Sequence, residues 1–137
     1  MSGVFAGGCH CGAVRYQLSG EPVYVALCHC GDCRKSAGAP MVHWAAFNED
    51  SLTLLQGDPR SYLSSAASTR SFCPNCGTGL FYRNPEVLPG LVDVQAATLD
   101  DPTALPPHIH VQVAERIGWM TQIDALPAFE RYPSGPD

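Results

Sequence analysis

The sequence predicts a mainly β, antiparallel fold with short helical turns. Three observations carry that prediction. Short β-rich runs recur along the chain, turn residues separate them at regular intervals, and helical periodicity is scarce. With 13 Gly and 12 Pro in 137 residues, the chain is punctuated like an all-β protein.

The expected strands follow in order. "AVRYQL" (Ala13 to Leu18) and "VYVAL" (Val23 to Leu27) flank the turn Gly20-Glu21-Pro22. "MVHWAAF" (Met41 to Phe47) and "SLTLL" (Ser51 to Leu55) come next, and Gly57-Asp58-Pro59 closes the second of them. "LFY" (Leu80 to Tyr82) runs toward Asn84-Pro85, and "LVDVQAA" (Leu91 to Ala97) starts after Pro89-Gly90. "IHVQVA" (Ile109 to Ala114) follows Pro106-Pro107. One short helical turn is expected through Asp32 to Ala37, with Asp32 as its N-cap and Gly38 and Pro40 as its stop.

Composition bounds the rest. The length fits one domain, read as residues 1–137, with 131–137 as a frayed tail. Apolar residues at 45% and charged ones at 15% describe a packed protein rather than a disordered one. A net charge of -5, with eight Lys and Arg spread along the chain, argues against nucleic acid as partner. No run approaches a membrane span, and "MSGVFAGGCHCG" lacks the charged and apolar regions of a signal peptide. A cytoplasmic protein is therefore expected.

In a reducing compartment, seven cysteines point to metal ligation or catalysis rather than to disulfides, and an odd number leaves one unpaired. They fall into three groups: Cys9 and Cys11, then Cys28, Cys30 and Cys33, then Cys73 and Cys76. "FCPNCGTGLF" has the form of a zinc knuckle, in which Pro74 and Asn75 turn both sulfurs toward one ion and Gly77 lets the backbone approach. A structural zinc needs four ligands. If Cys9 and Cys11 share a strand face, bent at Gly7, Gly8 and Gly12, they complete the set with Cys73 and Cys76. Cys28, Cys30 and Cys33 then remain as three ligands, the number of a catalytic zinc with an open fourth position. A competing assignment pairs Cys28 and Cys30 with the knuckle and leaves the early pair idle. Spacing alone leaves both open.

Several neighbours are candidates for supporting roles. Alternation along a strand aims His10 and His29 away from the adjacent sulfurs. Arg34 and Lys35 offset the charge of the triplet or hold an acidic substrate, or else are solvated charges on a turn. His108 and His110 are expected on one strand face, His43 and Trp44 follow the triplet loop, and Trp119 is expected to cap the core.

Taken together, "GGCHCGAVRY", "CHCGDCRKSAGAP", "FCPNCGTGLF", "PHIHV" and "LPAFERYP" closely resemble the centromere protein V / glutathione-dependent formaldehyde-activating (GFA) family over nearly the whole chain. The resemblance implies a β-tent-type zinc-binding fold. It implies one structural zinc on Cys9, Cys11, Cys73 and Cys76, and one catalytic zinc on Cys28, Cys30 and Cys33. It also implies a carbon-sulfur lyase that joins or separates a small thiol such as glutathione and formaldehyde, as in S-(hydroxymethyl)glutathione. Two other functions stand beside this one: a zinc-stabilised binding module without catalysis, and a thiol oxidoreductase cycling Cys30 and Cys33.

Overall fold

A computed structural model describes residues 3–133 of the chain. Ten strands and one α-helix are joined by tight turns and short 3-10 segments, so the mainly β expectation holds. The strands are β1 (Gly3–Gly8), β2 (Arg15–Gly20), β3 (Tyr24–Cys28), β4 (Val42–Asn48), β5 (Leu52–Gln56), β6 (Arg60–Leu63), β7 (Thr69–Phe72), β8 (Gly79–Arg83), β9 (Leu91–Gln95) and β10 (Ile109–Val111). The helix α1 spans Gly31–Ala37 between β3 and β4.

These strands form two open sheets. The smaller has the order β1-β2-β5, and the larger runs β10-β3-β4-β9-β8-β7-β6. All pairings are antiparallel except one: β10 lies parallel to β3, with Ile109 opposite Ala26 and Val111 opposite Cys28. That exception departs from the antiparallel expectation. It arises because the segment between β9 and β10 carries the chain across to the far edge of the sheet before β10 begins.

Strand alternation gives the larger sheet two chemically different faces. One row across it, Val25, Ala45, Val94 and Phe81, packs against Val14, Tyr16 and Leu18 from the region of β2 to form the main core. The adjoining row, on the opposite face, runs Tyr24, Ala46, Asp93, Tyr82 and Arg70 across five strands. The core face holds the sheets together, and the other face carries the polar groups.

Helix α1 ends where the sequence predicts, because Gly38 takes a left-handed φ of 65° and its N–H returns to the Arg34 carbonyl. Its start differs: Cys30, not Asp32, is the N-cap, and its sulfur accepts from the Cys33 N–H at 3.3 Å. The run from Ile109 to Ala114 is likewise cut short, since Gln112 adopts a φ of 58° and a 3-10 turn follows. Trp119 does not cap the core; it is 55% exposed on the 3-10 segment Gly118–Ala125. Of the expected frayed tail, Arg131, Tyr132 and Pro133 are exposed, and 134–137 lie outside the described residues. Among the described residues, no helix is long and apolar enough to cross a membrane.

Candidate metal centres and active site

All seven cysteines are free, and they gather into two groups: Cys9, Cys11, Cys73 and Cys76, and separately Cys28, Cys30 and Cys33. Within each group the sulfur atoms lie within 4.8 Å of one another. This is the grouping of the first assignment read from the spacing, with Cys9 and Cys11 beside Cys73 and Cys76.

Cys9 and Cys11 reach their site by a route other than the expected one. They sit on the turn between β1 and β2, not on a shared strand face; the turn is closed by Cys9 N–H to the Val14 carbonyl and Gly12 N–H to the Cys9 carbonyl. Cys73 and Cys76 occupy the turn between β7 and β8. There the Cys73 N–H bonds the Thr78 carbonyl at 2.9 Å, and the Gly77 N–H bonds the Cys73 carbonyl at 2.8 Å. Gly77 is required for its left-handed φ of 81°, since open space surrounds the position of a Cβ; this corrects the expectation of close backbone approach.

The four-sulfur site has the dimensions and donors of a thiolate cage. Sulfurs about 2.3 Å from a central zinc ion stand about 3.8 Å apart at the corners of a tetrahedron. Cys9 and Cys11 sulfurs are 3.6 Å apart, and Cys11 and Cys73 sulfurs 3.8 Å. Backbone N–H groups of Asn75 and Cys76 both point at Cys73 Sγ at 3.4 Å, that of Val14 at Cys9 Sγ at 3.2 Å, and the Asn75 amide donates to Cys11 Sγ at 3.2 Å. Such donors stabilise anionic sulfur. The residues present therefore fit a bound metal ion.

The three-cysteine site is built where β3 gives way to α1. Cys28 ends the strand, Cys30 caps the helix and Cys33 lies in its first turn, which turns all three sulfurs to the polar face of the larger sheet. The Cys33 thiol is pulled down to about 5, first by a hydrogen bond from Cys28 and then by donors including Trp44 and Arg70, whereas Cys28 is pushed up by the same bond and by burial. Arg70 is buried, lies 4.7 Å over the Tyr82 ring, donates to Ser64 Oγ at 3.2 Å, and approaches Cys33 Sγ at 3.8 Å.

The three sulfurs open onto a cavity of about 370 Å³. Tyr24, Trp44, Asp93, Tyr82 and Arg70 form its floor, and Val87, Leu88, Val111 at the end of β10 and Glu115 on the 3-10 turn after it complete the lining. Asp93 is 5% exposed. Its Oδ2 accepts from the Tyr24 hydroxyl at 3.5 Å, and its Oδ1 has no partner. Burial, and after it the charge on Cys33, pushes the Asp93 carboxyl up to about 7.

The histidines and basic residues fall mostly outside this cavity. His29 turns away from the sulfurs as alternation predicts. It is buried, and its Nε2 stands 2.9 Å from His110 Nδ1. Burial holds the His29 imidazole below its ordinary value. His10 and His108 are exposed, and His43 Nε2 meets the Leu105 carbonyl at 2.8 Å. Arg34 and Lys35 line a separate surface depression with Trp119, away from the thiols; Arg34 Nε donates to the His29 carbonyl at 3.4 Å.

Sequence reasoning missed Arg70 and Asp93. Asp93 has a legible signal, a single charge in the middle of the apolar run "LVDVQ", which a strand buried on both faces does not otherwise tolerate. Arg70 has none, because "TRSF" reads as an ordinary exposed segment.

Comparisons with known proteins agree with this architecture. A crystal structure of a Rhodobacter sphaeroides protein superimposes with a TM-score of 0.62 at 23% identity, covering 77% of this chain and 99% of that one, which is a likeness of fold. A Halomonas elongata protein named "Putative glutathione-dependent formaldehyde-activating enzyme" is 28% identical over 123 residues, or 83% of this chain and 78% of its own. The family model described as glutathione-dependent formaldehyde-activating enzyme matches residues 4–115, which span both cysteine clusters and every strand from β2 to β10. The chain therefore belongs to the GFA family.

Proposed function

We propose that the protein is a zinc-dependent carbon-sulfur lyase acting on the adduct of a small thiol and an aldehyde, as in S-(hydroxymethyl)glutathione. The observation that carries this reading is the position of Cys28, Cys30 and Cys33, whose sulfurs line a 370 Å³ cavity. In the reading, residues 1–137 act as one domain in the cytoplasm, where thiols stay reduced. Cys9, Cys11, Cys73 and Cys76 hold a structural zinc, and the triplet holds the catalytic one.

A zinc ion on three thiolates supplies a fourth position that lowers the pKa of a substrate thiol and admits its exchange. The chain's own groups do the rest. Arg70 steadies the negative charge on Cys33, being a buried guanidinium with its plane fixed against Tyr82. Trp44, Tyr24 and Tyr82 give the cavity rigid walls, and Val87 and Leu88 add apolar lining. The reaction divides the adduct into thiol and aldehyde, or joins them, with no net oxidation.

The test is a cobalt-substituted sample titrated with glutathione. A change in the thiolate-to-metal absorption of one of two bound ions supports the lyase. Indifference at both favours a binding module, and release of metal with a Cys30–Cys33 disulfide under mild oxidant favours a thiol oxidoreductase.

A further inference from the structure

The polar face of the larger sheet holds a carboxyl group and a guanidinium that do not pair. Asp93 and Arg70 lie in one row, with Tyr82 on the strand between them, and both line the cavity beside the three cysteines. The two ion pairs formed among the described residues, Arg15–Asp100 and Arg83–Glu49, use neither of them. Arg70 spends its contacts on Ser64, Cys33 and the Tyr82 ring. Asp93 has only the long hydrogen bond from Tyr24, and its second oxygen is orphaned at a site 5% exposed.

A buried carboxylate oxygen without a donor is costly, and proteins keep few of them. An acceptor left free on the floor of a cavity is matched by a donor on whatever fills that cavity. A cationic donor is disfavoured by the guanidinium in the same cavity. A neutral hydroxyl suits both neighbours.

We infer that Asp93 is a substrate-binding residue whose carboxylate turns its unpaired, buried Oδ1 toward the cavity to accept a hydrogen bond from the hydroxyl of the thiol–aldehyde adduct. This rests on the lyase reading and deepens it. The sulfur end of the substrate meets the cysteine triplet, and the hydroxyl end meets the carboxylate on β9. Selectivity then lies in the hydroxyl: a thioether or alkyl thiol of equal size lacks the donor and leaves Oδ1 unpaired, which is the discrimination that polar sites make best.

The experiment compares two thiols of nearly equal size, 2-mercaptoethanol and 1-propanethiol, which differ in bearing a terminal hydroxyl or methyl. Their dissociation constants are measured by calorimetry at pH 8 on metal-loaded wild type, Asp93→Ala and Asp93→Asn, with near-ultraviolet circular dichroism confirming native packing. The preference of wild type for the hydroxyl-bearing thiol is expected to fall by about tenfold or more in Asp93→Ala, and by less in Asp93→Asn, which keeps a neutral acceptor. An unchanged preference in both variants overturns the inference and leaves the lyase reading standing. Failure of both thiols to bind wild type overturns the lyase reading, and the inference with it.

Discussion

The sulfurs of Cys11 and Cys73 stand 3.8 Å apart although 62 positions separate them in the chain. One belongs to the turn that joins β1 to β2 in the small sheet, and the other to the turn that joins β7 to β8 in the large one. A metal ion bound at this point would tie the two sheets together, so that binding energy there would become folding energy. Cys76→Ser is expected to prevent soluble expression, or to leave protein that melts far below wild type. Cys33→Ser, at a strand-to-helix junction within one sheet, is expected to stay folded, lose one metal equivalent and lose turnover. Metal analysis and thermal melting of both variants check this, and equal damage from the two substitutions counts against separate structural and catalytic sites.

Arg70→Met keeps much of the packing against Tyr82 but removes the positive charge beside Cys33. A hydrogen bond between charged partners contributes roughly 1.5 to 3 kcal/mol, so turnover is expected to fall about tenfold or more. Steady-state kinetics with glutathione and formaldehyde measures it; a variant with wild-type kcat/KM shows that Arg70 is only a packing element.

His110→Ala takes away the one hydrogen-bond partner that Nε2 of His29, a residue 1% exposed, has among the described residues. Leaving a buried polar atom unpaired costs on the order of 1 to 3 kcal/mol. Urea unfolding of the variant is expected to show a lower midpoint with metal content unchanged. A midpoint equal to that of wild type means that water replaces the lost ring.

Tyr16 lies in the main core, bonded to Thr98 Oγ1 at 2.7 Å, and burial pushes its phenol up to about 12. Between pH 10 and 12 the unfolded chain releases this proton while the folded one retains it. The folded pKa is the raised one, so the contribution is complete below pH 10 and is lost as pH rises through 12. A shift of this size corresponds to roughly 2 to 3 kcal/mol. Tyr16→Phe should therefore lose stability less steeply than wild type across this window. Melting temperatures measured from pH 9 to 12 decide it: parallel curves for the two proteins exclude Tyr16 as the source.

Most of this fold is legible in the chain because seven strands carry apolar alternation or continuous apolar runs between Gly and Pro turns. Three strands escape that reading. β1, "GVFAGG", is half glycine, and its pairing is set by the neighbouring β2 rather than by its own side chains. β6 and β7, "RSYL" and "TRSF", are four residues each and carry polar groups at alternate or adjacent positions, so neither presents a hydrophobic period. The cysteine groups were legible because ligand turns impose local spacing. Arg70 was not, and the lone charge of Asp93 did not say which residues it would join, because both reach the triplet through cross-strand register, and register is a property of the assembled sheet.

The parallel pairing of β10 with β3 has a consequence for how the protein is made. His29 waits for His110, 81 positions later, before its ring nitrogen is satisfied, and Cys28 lies on a strand whose outer edge is bare until Val111 arrives beside it. During synthesis the thiol triplet is thus flanked by a sticky, unpaired margin for most of the chain's emergence from the ribosome. A nascent chain stalled before Ile109 holds its three thiols next to an open β edge, and β10 is the strand that shuts it.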